Sequence, residues 1–137
     1  MSEVNAHDRV ASEVFVTDAD YKILERLLDA PNANHLGARL LSEELDRATR
    51  VSDDPSGLFV KLGSYIEFRD TQGDEVKCVQ LCLPEHADIS AGRISVLAPV
   101  GASLLGLMVG GRFQWTGVDR RKRELQILRI SDPQLVA

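Results

Sequence analysis

Cysteine is scarce in this chain: only Cys78 and Cys82 occur among 137 residues, and both fall in a run, 76–83, that alternates in the manner of a strand. On a strand, residues four apart are separated by roughly 13 Å at about 3.3 Å per residue. Disulfide-linked Cα atoms sit only about 4.4–6.8 Å apart, so two free thiols are expected. His7, His35 and His86 have no ligand spacing to these cysteines, and no metal or other cofactor is expected. Basic excess is also lacking. A net charge of -5 argues against broad nucleic-acid binding, which requires Lys and Arg to neutralise phosphates, and no direct sequence-specific DNA binding is expected. A protein partner or a small ligand is the better default. Long hydrophobic runs are missing too: the longest, 98–109, is interrupted by Gly101, Ser103 and Gly106 and falls short of the about 20 residues that span a bilayer. Residues 1–9 carry Glu3 and Asp8 and have no positive segment followed by an apolar one, so neither a secretory signal nor a membrane span is expected. The reading is a cytoplasmic, monomeric protein.

What is present is an ordinary globular composition, 44% hydrophobic and 27% charged, with room for one domain and a real core. Residues 1–12 are polar and aperiodic and read as a tail. Residues 13–16 read as a short strand. Thr17, with Asp18 and Asp20 behind it, has the pattern of an N-cap with acids in the first helical turn. Tyr21, Leu24 and Leu28 recur at helical spacing until Pro31 ends the pattern. After a loop over 31–35, Leu36, Leu40, Leu41, Leu45 and Ala48 form a second apolar stripe. The short connection predicts an antiparallel helical hairpin over 13–57 whose stripes bury one another.

The turn-rich stretch Asp53-Asp54-Pro55-Ser56-Gly57 marks a boundary, beyond which the period changes from helical to alternating. Residues 65–68 and 76–83 read as a hairpin around the turn 70–74. Residues 94–97 read as a third strand, 99–107 as a short helix opened by Pro99, and 112–116 with 124–130 as a second hairpin. The fold class is α+β: a short antiparallel helical hairpin, then residues 58–137 as an antiparallel sheet with one short helix.

Few residues carry chemistry. Ser103 lies between Gly101 and Gly106, but the nucleophile-elbow spacing fails and no Asp–His pair serves it. Gly110-Gly111 matches no phosphate loop. The acid pairs Glu43-Glu44 and Asp53-Asp54 read as solvated charge. Trp115 reads as a core residue of its strand. Asp119, Arg120, Arg121, Lys122 and Arg123 form the one basic cluster, at a hairpin tip. It reads either as a solvated turn or as a contact for nucleic acid or an acidic protein surface.

The segment Ile94-Ser95-Val96-Leu97-Ala98-Pro99-Val100-Gly101-Ala102-Ser103-Leu104-Leu105-Gly106 resembles the Ile-Ser-x-x-Ser-Pro-Ile-x-x-x-Leu-Ile-Gly run of the C-terminal domain of the Gre transcript-cleavage factors, with Ala98 in place of the second serine. Its form, together with Glu43-Glu44-Leu45-Asp46-Arg47-Ala48, is similar to the Rnk-type regulators of nucleoside diphosphate kinase. The resemblance implies an FKBP-like C-terminal fold that docks on RNA polymerase. It further implies that Ser95, Leu97, Pro99 and Val100 make the partner contact, with Leu97 departing from the polar or acidic residue of some Gre proteins. Asp29, Arg120, Arg121 and Arg123 are candidates for secondary contacts. Gre factors insert a long coiled coil whose tip acids help hold a catalytic metal. Here the arms are short, and the tip Pro31-Asn32-Ala33-Asn34-His35 carries no acid. A hard divalent cation needs anionic oxygen ligands, so the resemblance implies a non-catalytic regulator rather than an enzyme.

Overall fold

Thr17 ends one element and starts the next. Its backbone is extended (φ -75°, ψ 156°), and its hydroxyl oxygen accepts the Asp20 N–H at 3.1 Å, satisfying one of the donors a helix start leaves over. In the computed structural model, which describes residues 13–30, 36–54, 57–70, 74–116 and 119–132, strand β1 (Phe15–Thr17) runs into α1 (Asp18–Leu28) and is followed by α2 (Leu36–Arg47). The tail, the 31–35 tip and the Trp115 side chain, all named above, lie outside the described residues.

Directly after α2 comes a strand that periodicity did not announce, β2 (Thr49–Val51), paired in parallel with β1. The Thr49 N–H donates to the Val14 carbonyl at 2.8 Å. The helix pair is thus the crossover between two parallel strands, which close its base. The two helical stripes do not serve one another equally. Leu24 alone is fully buried in α1, while α2 buries Ala38, Leu40, Leu41, Glu44 and Leu45 along with Gly37. Leu40, Leu41 and Leu45 share a single core with Val60, Ile66, Leu104, Phe113 and Ile127. An apolar stripe states that a face is buried, not against what. Packing therefore runs straight across residue 57, where the period changes.

Strands β3 (Tyr65–Asp70), β4 (Glu75–Cys82), β5 (Arg93–Ser95), β6 (Arg112–Thr116) and β7 (Lys122–Ser131) form one sheet in the order β5-β4-β3-β7-β6. Ile66 and Phe68 of β3 face the core, and Tyr65 and Glu67 face away, the period-2 alternation of a half-buried strand. The sheet departs from the antiparallel expectation at one edge, where β5 pairs with β4 in parallel. Two 3-10 turns, Pro84–His86 and Ile89–Ala91, carry the chain back from the end of β4, and Gly92 at φ 77° turns it into β5. That left-handed conformation is one that glycine adopts without steric cost. Helix α3 (Pro99–Leu104) then packs with its Gly101, Ala102, Ser103 and Leu104 buried.

Candidate protein-interaction site

The residues expected to bind a partner lie together where β5 gives way to α3. Ser95 ends the strand, and its hydroxyl oxygen accepts the Leu97 N–H at 2.9 Å, while its carbonyl accepts the Ala98 N–H at 3.0 Å. The Val96 N–H donates to the Cys82 carbonyl at 2.8 Å, tying the segment to β4. Ala98 is extended (φ -75°, ψ 148°) and has no capping side chain; Pro99 occupies the first helical position. There its fixed φ suits the helix and its missing N–H forfeits no bond. Pro99 is exposed, whereas Ser95, Leu97 and Val100 are half-buried, with Leu97 and Val100 resting against the core. The arrangement is a hydrogen-bonded, partly apolar ridge on which Pro99 is the exposed residue. It contains no nucleophile–base pair, and the Ser103 hydroxyl donates to the Val100 carbonyl at 2.7 Å, a bond internal to α3.

The other expected residues stand elsewhere. Asp29 is the C-cap of α1 and lines a cleft of about 190 Å³ between the two helices with Tyr21, Glu25 and Asp46. Among the described residues no group of three or more ligating side chains could hold a metal ion. Arg120 and Arg121 belong to the β6–β7 turn and Arg123 to the start of β7, where it pairs with Trp115, at the opposite edge of the sheet from β5. Arg120 is held at φ 66°, and the Arg121 N–H donates to an Asp119 carboxylate oxygen at 3.1 Å. Cys78 is exposed and Cys82 buried, both as free thiols. Burial pushes the Cys82 thiol above its ordinary range, partly offset by Arg93.

Two acid pairs expected to be solvated are not uniformly so. Glu44 is buried and pairs with Arg47 at 3.0 Å. Asp54 is buried as well: its carboxylate accepts the Leu58 and Phe59 N–H groups at 3.0 and 3.3 Å and meets Lys61 Nζ at 2.6 Å. Lys61 Nζ also lies 2.9 Å from Asp132, which accepts the Ser64 hydroxyl at 2.7 Å. Asp20 of α1 joins the same neighbourhood by accepting the Leu62 N–H at 3.0 Å. Burial acts to raise the Asp54 carboxyl, but the Lys61 bond and the two N–H groups outweigh it and hold it below the ordinary value. For Asp20 burial wins, and its carboxyl is raised. Lys61, largely buried, thus fastens the segment around residue 54 to the end of β7, and Asp20 ties α1 to the adjacent Leu62 backbone.

Two family models account for most of the described chain. Residues 55–132 match "Transcription elongation factor, GreA/GreB, C-term", and residues 13–51 match "Rnk N-terminus". The chain belongs to the GreA/GreB C-terminal family and carries an Rnk N-terminus. This Rnk-type chain is 36% identical over 120 residues to the regulator of nucleoside diphosphate kinase of Escherichia coli K12, covering 85% of this chain and 88% of that protein. A prokaryotic transcription elongation factor GreA/GreB from Nitrosomonas europaea has a similar solved structure, with TM-score 0.65 and 30% identity, covering 87% of this chain and 98% of that one. Transcription elongation factor GreA of Acidiphilium cryptum is 40% identical over 70 residues, which span 50% of this chain and 45% of that protein. The Rnk-type chain is accordingly a regulator of the transcription-factor kind, and the ridge at 95–100 falls within the GreA/GreB match.

Proposed function

We propose that this protein docks on RNA polymerase through an FKBP-like C-terminal module, with Ser95, Leu97, Pro99 and Val100 at the contact, and does so without stimulating transcript cleavage. The observation that carries the reading is a helix pair of ordinary length, too short for a long arm, beside a ridge that falls within the GreA/GreB match. Helices α1 and α2 have 11 and 12 residues, which at about 1.5 Å per residue extend only about 16–18 Å. A long cleavage-promoting arm has to carry carboxylates to a metal at its tip, because anionic oxygens hold a hard cation and that cation stabilises in-line phosphoryl chemistry. Residues 31–35 contain no Asp or Glu; the nearest acid, Asp29, is exposed at the C-cap of α1. Docking without delivery of acids makes the protein an occupant of the Gre site and a competitor of cleavage factors.

Stalled, backtracked elongation complexes with labelled RNA test this. The expected result is no shortening of the RNA beyond the intrinsic rate with this protein alone, and slowed cleavage when it is added in excess over a Gre factor. Robust cleavage by this protein alone would overturn the non-catalytic half of the reading.

A further inference from the structure

Two glycines, one from each of two helices, lie close against the main chain of the ridge. A Cβ built on Gly37, the second residue of α2, would fall 1.8 Å from the Leu97 carbonyl oxygen, 2.7 Å from its carbon and 3.0 Å from the Ala98 carbonyl carbon. A Cβ on Gly101 of α3 would fall 2.0 Å from the Ser95 carbonyl oxygen. No side chain fits at either place, so bare helix backbone touches bare ridge backbone. The obstructing atoms are main chain, which cannot swing aside as a flexible side chain would. At Gly37 the space admits no side chain at all, so the identity of this residue is tied to the course of the main chain at 97–98.

We propose that Gly37 is a positioning residue for partner docking: α2, an element of the N-terminal region, sets the main-chain course of residues 95–100 and thereby the presentation of Pro99. This rests on the reading that the ridge is the polymerase contact. The ridge is tied to β4 by the Val96 N–H on the Cys82 carbonyl and braced within itself by the Ser95 hydroxyl on the Leu97 N–H. The α2 backbone at Gly37 is a support delivered from outside the 55–132 match. Docking is consequently a property of the whole chain, and the N-terminal helices act on it through the seat at Gly37 without touching the partner.

The test uses the full chain and core RNA polymerase. Gly37→Ala is expected to fold, to shift amide resonances at 36–40 and 95–100, and to weaken binding by about tenfold, the ratio that about 1.4 kcal/mol produces, at a temperature well below its unfolding midpoint. Lys61→Met, destabilised at the buried ion cluster and away from the ridge, is expected to keep its affinity, which separates positioning from loss of stability. Leu36→Ala loosens the same helix start without a clash and is expected to weaken binding to a smaller degree; it carries the test if Gly37→Ala does not fold. Unchanged affinity in a folded Gly37→Ala, or in Leu36→Ala where it stands in, overturns the proposal. Pro99→Asp distinguishes the failures. If it loses binding while the α2 variants do not, only the positioning role falls; if it too binds normally, the docking surface itself is wrong.

Discussion

Replacing Lys61 by methionine keeps most of the side-chain volume and removes the ammonium that lies 2.6 Å from Asp54 and 2.9 Å from Asp132. The three side chains are 14%, 3% and 3% exposed, so both carboxylates would be left facing one another with little water. Breaking a buried pair by removing one partner costs about 3–5 kcal/mol. The lower end applies here, because Asp54 keeps the Leu58 and Phe59 N–H groups and Asp132 keeps Ser64. Against a total stability of about 5–15 kcal/mol, that loss is large. For a chain of this size about 1 kcal/mol corresponds to roughly 3–4 °C, so the unfolding midpoint at neutral pH is expected to fall by about 10 °C, read by far-ultraviolet circular dichroism. Adding Asp132→Asn removes one of the stranded charges while leaving a partner for Ser64, and part of the loss is expected to return. A Lys61→Met midpoint equal to the parent's, or a double variant less stable than the single one, would refute the reasoning.

The same cluster dictates a pH profile. The folded carboxyl of Asp54 lies below its ordinary value of 3.8, so its contribution is present above that value and lost as pH falls through the folded one. Burial depresses the Lys61 ammonium, but the bonds to Asp54 and Asp132 outweigh it and raise it above 10.5; its contribution is complete below that value and lost as pH climbs through the folded one. Asp20 runs oppositely: its raised carboxyl favours the folded state in acid, an advantage lost as pH rises past 3.8 and through the folded value. Denaturant titrations across pH are expected to show Lys61→Met losing the alkaline limb, and an unchanged limb would contradict the assignment. A thiol reagent is expected to label Cys78 in the native protein and Cys82 only on unfolding, since the first is exposed and the second buried. Equal labelling rates by mass spectrometry would contradict the placement of β4.

Much of the architecture was readable because local chemistry decided it. Thr17 with Asp18 and Asp20 announced the start of α1, the turn at 70–74 announced the β3–β4 hairpin, and Pro99 announced α3. The three-residue strands β2 and β5 were not readable in full: β2 shows no period at all, and nothing local in 93–95 says that its pairing with β4 is parallel. The ion cluster escaped for a different reason. Ser64 and Asp132 are 68 residues apart in the chain, and the composition around Asp53-Asp54 is that of a turn, so the burial of Asp54 is a tertiary fact. Gly37 left no specific trace: a glycine near a helix start is tolerated there, and its close approach to Leu97 is a tertiary fact. The ridge at 95–100 became a candidate through its likeness to the Gre segment, since a proline after an alternating run has by itself no partner written into it.

The most direct measurement is an equilibrium competition for core RNA polymerase. Fluorescently labelled full-length protein is titrated with polymerase, and an unlabelled Gre factor is then added. The account predicts saturable binding, complete displacement by the Gre factor, and binding weakened by about tenfold or more for Pro99→Asp, a change of about 1.4 kcal/mol or greater. Absence of binding by the folded full-length protein, or binding that persists undiminished at saturating Gre factor, would contradict it.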